Sequence, residues 1–345
     1  MDKNDKNLDK NLVDEGPKTE SLPDVGEDSP LAYENPEFLL SADGRLFRIM
    51  AEYQEPMSRF RRERIQDTVV FFGSARFRAL DVANAELELL ANTGSEEPAA
   101  DHEQPATPEA IASGEASALQ LQRAKAAVEM AQYYEDARKL AGMMATWAQT
   151  LPGRRHRFVV TSGGGPGIME AANRGAYEVG AKTIGLNIRL PFEQHPNRYI
   201  TPGLSFDFHY FFMRKYWFAY LAKALVVFPG GFGTLDEMFE LLTLAQTRKL
   251  AKKITVVIYG SEYWKHVINL ELLAEKGAIA MGDLELFQFA DTPEEAFAIL
   301  RKGLTENHLE SAYEKEQQRL EHERIPVEPA PSAQEMLGPD ITKTR

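Results

Sequence analysis

The sequence predicts an α/β protein built on an open, doubly wound, mainly parallel sheet with helices on both faces. Three observations lead there. Short runs of apolar and β-branched residues recur along the chain, stretches of helical spacing separate them, and two of the runs end in glycine-rich turns that pass directly into helical pattern. A strand that is apolar at every position is buried on both faces, which is the condition of a parallel sheet covered by helices.

Taken in order, Thr68-Val69-Val70-Phe71-Phe72-Gly73 reads as the first buried strand. A stretch over about 91–114, rich in Glu, Pro, Ala and Ser, reads as a flexible insertion after it, and a long helical pattern over about 118–150 follows. Phe158-Val159-Val160-Thr161 is the second strand, feeding Ser162-Gly163-Gly164-Gly165-Pro166-Gly167 and a helix over about 168–179. Thr183-Ile184-Gly185-Leu186-Asn187-Ile188 is the third. An aromatic helix over about 210–223 precedes the strand Ala224-Leu225-Val226-Val227-Phe228, the turn Pro229-Gly230-Gly231-Phe232-Gly233-Thr234 and a helix over about 235–248. Ile254-Thr255-Val256-Val257-Ile258-Tyr259 is a further strand with another helix behind it. Ligands in such sheets bind at the carboxyl ends of strands, where both glycine turns fall.

The expected organisation is one nucleotide-binding domain over 31–304 between two polar extensions. Residues 1–30 form an acidic arm with too few large apolar side chains to offset the entropy of ordering, and 305–345 read as a charged helix followed by a Pro-rich tail. With 345 residues, 43% hydrophobic and 26% charged, the chain can bury a large core. A formal charge of −13 and a pI near 5.2 weigh against nucleic acid or an anionic membrane as the main partner. Having no cysteine excludes disulfides, thiolate metal sites and cysteine nucleophiles. The polar start and the lack of a membrane-length apolar run lead to the expectation of a cytoplasmic protein. The seven histidines show no metal-ligand spacing, so no metal is expected.

Glycine lets the backbone approach an anion closely, and the helix that follows offers unpaired amides and the positive end of its dipole. Two such turns point to a nucleotide or sugar-phosphate site. Neither continues as a dinucleotide fingerprint: counted from Gly163, Gly165 or Gly231, the sixth position is Ile168, Glu170 or Asp236. Neither closes in Gly-Lys-Ser or Gly-Lys-Thr, which weighs against nucleotide triphosphate hydrolysis. The second turn runs into Leu235-Asp236-Glu237, placing carboxylates beside a cradle for anions. A ribose would give Glu237 a use, through its hydroxyls and the positive charge that develops at its anomeric carbon. Thr234-Leu235-Asp236-Glu237 equally spells a helix capping box, in which Glu237 has no chemical role. Arg214 and Lys215 are either a solvated basic pair or, for Arg214, a guanidinium aimed at phosphate or base.

The stretch from Ser162 through Gly167 to Ile168-Met169-Glu170-Ala171-Ala172-Asn173-Arg174-Gly175-Ala176, then Arg214-Lys215, then residues 229–237 resemble the LOG (Lonely Guy) proteins, a family long labelled "possible lysine decarboxylase". The resemblance spans roughly 68–300 and implies a Rossmann-like phosphoribohydrolase, which hydrolyses AMP or a cytokinin riboside 5′-monophosphate to free base and ribose 5-phosphate without a cofactor. It places Arg214 and Glu237 as catalytic residues and Gly230, Gly231, Gly233 and Thr234 in the phosphate loop. Gly164, Gly165, Glu170 and Lys215 are assigned to the substrate site through the same motifs. The expected partners are the nucleoside monophosphate and further copies of the chain, as a homodimer or larger. A nucleotide or cofactor carrier of the same fold, binding without turnover, is the competing expectation. Decarboxylation would need pyridoxal phosphate on a lysine, and no lysine stands in a Schiff-base context.

Overall fold

The computed structural model describes residues 31–93, 108–190, 195–250 and 252–310. The arm expected over 1–30, residues 94–107 of the expected insertion and residues 311–345 of the expected tail lie outside them.

The chain divides into two compact units, Met1–Arg48 and Ile49–Arg345. In the first, a single 3-10 turn, Ala32–Glu34, leads into α1 (Pro36–Leu40). The Asn35 side chain accepts from the Phe38 amide at 3.2 Å, and Pro36 takes the first helical position, where a missing amide costs nothing. Phe38 packs edge-on against Phe47 with ring centres 5.7 Å apart. The helix α2 (Arg45–Arg62) begins here and continues into the second unit.

The second unit alternates strands and helices: β1 (Thr68–Phe72), α3 (Leu80–Thr93), α4 (Pro108–Gln149), β2 (Val159–Ser162), α5 (Ile168–Glu178), β3 (Thr183–Ile188), β4 (Ser205–Phe208), α6 (Phe211–Leu221), β5 (Ala222–Val227), α7 (Phe232–Gln246), β6 (Thr255–Tyr259), α8 (Ser261–Val267), α9 (Leu270–Glu275), β7 (Gln288–Ala290) and α10 (Pro293–Leu304). Among the described residues the strands form one sheet of seven in the order β4-β3-β2-β1-β5-β6-β7, with every pairing parallel.

Alternation along the strands splits the core in two. Val69 and Phe71 of β1 face a cluster with Tyr134, Leu140 and Met144 of α4, Ile168 of α5 and Leu300 of α10. Val70 and Phe72 face the other cluster, with Phe60 of α2, Trp217 and Phe218 of α6, Met238 of α7 and Trp264 of α8. Both faces of the central strands are thus dry, and this is why the sequence shows unbroken apolar runs there.

Edge strands and element boundaries depart from the sequence reading. The edge strands β4 and β7 went unread: β4 alternates apolar Phe206 and Phe208 with polar neighbours, and β7 has only three residues. α4 begins at Pro108, inside the stretch expected as an insertion, and residues 91–93 close α3, so both described ends of that stretch are helical. Its Ala and Glu are strong helix formers and Pro is favoured at a helix start, a signal that composition alone had masked. At 305–310 the chain makes one wide turn after α10.

From β1 the chain adds β2, β3 and β4 on one side, then returns to place β5 on the other side of β1. The reversal opens a crevice beyond the carboxyl ends of β1 and β5, the place where doubly wound sheets bind ligands.

Candidate active site at the sheet reversal

Three turns meet in this crevice, one after each of β1, β2 and β5. The peptide of Ser74, just past β1, ties the other two together: its amide donates to Pro229 O at 3.0 Å, and its carbonyl accepts from the Ile168 amide at 3.0 Å. A Cβ on Gly230 would overlap Thr234 Oγ1 and come within 3.0 Å of Ser74 N, so the turn after β5 can close over Ser74 only with glycine there. Tyr263 of α8 donates to Gly230 O at 3.0 Å and braces the same turn from outside.

The turn after β2 is held from within. Ser162 Oγ accepts from the Gly164 amide at 3.0 Å and donates to Asn173 Oδ1 at 2.6 Å. Asn197 Nδ2 donates to the carbonyls of Gly164 and Gly165, each at 3.1 Å. Gly164 has φ +75, and a side chain there would also collide with Asn187. Gly164 and Gly165 are therefore framework of the turn and do not line the cavity.

That cavity, about 610 Å³, is bounded by residues 72–77, by residues 230–234 with Asp236 and Glu237, and by Met169, Ile188, Phe211, Arg214 and Tyr263. Gly231 and Gly233 stand out in it. Neither has a positive φ, and a Cβ on either would meet nothing within 4 Å. Nothing among the described residues requires glycine at these two positions, whereas an anion approaching the backbone would. Here α7 starts at Phe232 with Gly231 as its N-cap, without a side-chain cap. Among the described residues nothing accepts from the amides of Phe232, Gly233 or Thr234, so the positive end of the helix faces the cavity with its donors free.

This helix start removes the capping-box reading. Thr234 is the third residue of α7 instead of its cap, so Glu237 has no cap amide to serve. Glu237 is instead 7% exposed and accepts no hydrogen bond among the described residues. Burial raises its carboxyl to about 7, against the pull of Arg214 and Lys215.

Arg214, in the first turns of α6, is aimed inward. Its Nε donates to Leu186 O of β3 at 2.7 Å, and its guanidinium carbon lies 5.0 Å from the centre of the Phe218 ring. Its Nη2 lies so close to the turn after β2 that a Cβ on Gly163 would come within 2.6 Å. Nη1 stands 3.8 Å from Glu237 Oε1, too far for a hydrogen bond and close enough for both groups to touch one ligand atom. Burial lowers the Arg214 pKa while Glu237 opposes the shift; a guanidinium starts so high that it remains charged.

Of the expected site residues, the fold brings Arg214, Glu237, Gly230, Gly231, Gly233 and Thr234 into one cavity. Lys215 lies outside it. One residue on from Arg214 it points elsewhere around the helix, where Asp236 at 2.8 Å and Glu240 at 2.9 Å hold it. Glu170 faces a separate neighbouring cavity and accepts from Tyr134 Oη at 2.9 Å. Ser74 and Arg76 escaped the sequence reading although Gly73 at a strand end carried a signal; Tyr263 had none, since it reaches the turn from a helix after the next strand.

Residues 169–300 match the family model described as "possible lysine decarboxylase", the label long carried by the proteins the motifs resemble. Over this stretch, which is less than half of the chain, the sequence is similar to that family. The matched stretch includes Arg214, Glu237 and the whole turn after β5, and leaves β1 and the turn after β2 up to Ile168 outside it. No curated protein is significantly similar to the chain. Among solved structures, the molybdenum cofactor binding protein of the phototrophic bacterium Rippkaea orientalis is 19% identical with a TM-score of 0.36, over 49% of this chain and 86% of that one. The Moco carrier protein of Chlamydomonas reinhardtii is 23% identical at 0.35, over 51% and 89%. The structural-genomics target TM1055 is 16% identical at 0.37, over 68% and 99%. Values this low carry no inference about ligand or activity. No helix among the described residues is long and apolar enough to cross a membrane.

Proposed function

We propose that this chain hydrolyses the N-glycosidic bond of a nucleoside 5′-monophosphate, AMP or a cytokinin riboside monophosphate, giving the free base and ribose 5-phosphate. The observation that carries the reading is Glu237: a buried carboxyl raised to about 7, free of structural hydrogen bonds, 3.8 Å from a buried guanidinium and one helical turn from a glycine cradle. Such a carboxyl is costly to a fold and useful to a reaction.

The 5′-phosphate binds at the free amides of the α7 start, where Gly231 and Gly233 let it reach the backbone. The ribose then lies along α7 toward Glu237. As the bond from C1′ to the base nitrogen lengthens, positive charge develops at C1′, and the Glu237 carboxylate stabilises it and takes a proton from the attacking water. The hydroxyl stays on C1′, and the proton taken by Glu237 passes to the nitrogen of the departing base, which leaves the carboxylate ionised again. Arg214 holds phosphate or base and keeps part of the Glu237 population ionised.

Incubating the purified chain with AMP, and separately with isopentenyladenine riboside monophosphate, tests this by the release of free base. Glu237→Ala is expected to cost about 10²–10³-fold in rate, the usual scale for one electrostatic group in a transition state. If neither substrate yields base above the Glu237→Ala level, the hydrolase reading fails. Tight AMP binding that survives Glu237→Ala, with no product, identifies a carrier.

A further inference from the structure

A second and larger cavity, about 1140 Å³, adjoins the first and shares with it the wall formed by residues 75–77. It is lined by five arginines, Arg76, Arg78, Arg123, Arg174 and Arg198, against three carboxylates, Asp81, Glu86 and Glu170. A local excess of positive charge in a chain of net charge −13 is the reverse of what composition would place there.

The guanidiniums come from separate walls: the turn after β1, the middle of α4, and α5 with the segment before β4. Arg78 is paired with Glu86 at 2.9 Å, and Arg174 with Glu178 at 2.9 Å. Arg76 and Arg123 have no carboxylate partner among the described residues, and Arg198 donates to Tyr199 Oη at 3.0 Å. Arg174 and Arg198 stand over the same Tyr199 ring, 5.7 and 5.1 Å from its centre, and repel one another. An anion between the walls would relieve that repulsion and supply the partners that Arg76 and Arg123 lack. Guanidiniums spread over three walls of a cavity of about 1140 Å³ suit more than one anionic group.

We infer that this cavity is a second binding site, distinct from the one at the α7 start, for a small organic ligand carrying at least two phosphate groups. The ligand's phosphates bridge the Arg123 wall and the Arg198 wall, and the faces of Phe77 and Tyr199 take its apolar part. The inference stands whether or not the first cavity hydrolyses nucleotides. Arg76 lines both cavities, so occupancy of the second alters the wall of the first.

Calorimetric titration of the full chain with inorganic pyrophosphate tests the site. Binding is expected to weaken at least tenfold in the double variant Arg123→Ala/Arg198→Ala, whose side chains are exposed and whose thermal melt should match wild type, and to persist in Gly233→Val, which fills the first cradle. A partial return of affinity in Arg123→Lys/Arg198→Lys supports charge recognition at this place. Pyrophosphate binding that is lost in Gly233→Val and untouched by the arginine variants assigns the ligand to the first cavity and overturns the inference, as does no binding at millimolar pyrophosphate.

Discussion

Glu237 is a residue whose cost and use have the same origin. Its carboxyl titrates near 7 when folded against 4.5 in the open chain, so the folded state holds the proton more tightly. The contribution of Glu237 to stability is then greatest below about pH 4.5, falls as pH rises toward 7 and is level above it. Glu237→Gln is therefore expected to be more stable than wild type at pH 8, by at most about 3 kcal/mol, with the gain vanishing at pH 4.5. Denaturant unfolding at the two pH values measures this, and an equal gain at both would show that ionisation of Glu237 is not what the fold resists. Hydrolysis in the wild type should run the other way, rising through pH 7 as the carboxylate forms. A capping glutamate would show neither trend, because its exposed carboxyl would titrate alike in the folded and the open chain.

At the scale of the element, the two glycine turns have divided the labour that the sequence left common to them. The turn after β2 is a scaffold: Ser162, Asn173 and Asn197 consume its polar groups, and it leaves room at Gly163 for the Arg214 guanidinium. The turn after β5 keeps its donors free and opens onto the cavity. Alanine substitutions separate the two roles. Gly164→Ala should lower unfolding free energy by about 1–3 kcal/mol, from strain at positive φ and collision with Asn187. Gly233→Ala, in the first turn of α7 with open space around it, should leave stability unchanged or raise it by up to about 1 kcal/mol while raising KM for AMP. Thermal melts beside steady-state kinetics decide; a Gly233→Ala that destabilises without changing KM would make the second turn a scaffold as well.

On the scale of the whole molecule, the site depends on a sheet packed on both faces and on a chain reversal that brings β5 beside β1. Phe228 joins the two features. It is fully buried, stacks on Tyr259 at 4.4 Å and on Phe71 at 6.3 Å, and is followed at once by Pro229 and the turn after β5. Phe228→Ala is expected to cost about 3–5 kcal/mol. A fall in the denaturant midpoint without a change in slope would show the loss to be global, whereas a near-normal midpoint with lost activity would place Phe228 in the site instead of the core.

The sequence by itself determined the central strands, the parallel doubly wound class and the cluster of Arg214, Glu237 and the second glycine turn as the place to look. These were legible because they depend on local physics: burial on both faces writes an unbroken apolar run, and close backbone approach to an anion demands glycine. Only the tertiary structure decided where Glu237 and Lys215 lie. A capping box and a buried, uncapped carboxylate share the same four letters, and the choice turned on where α7 starts, three residues earlier than its pattern suggested. Adjacent Arg214 and Lys215 look alike in sequence, yet one is drawn inward by Leu186 O and the other outward by two carboxylates. The edge strands, Ser74 as the clamp between turns, and the arginine-lined second cavity were equally out of reach, because each is made by residues far apart in the chain that meet only when the sheet closes.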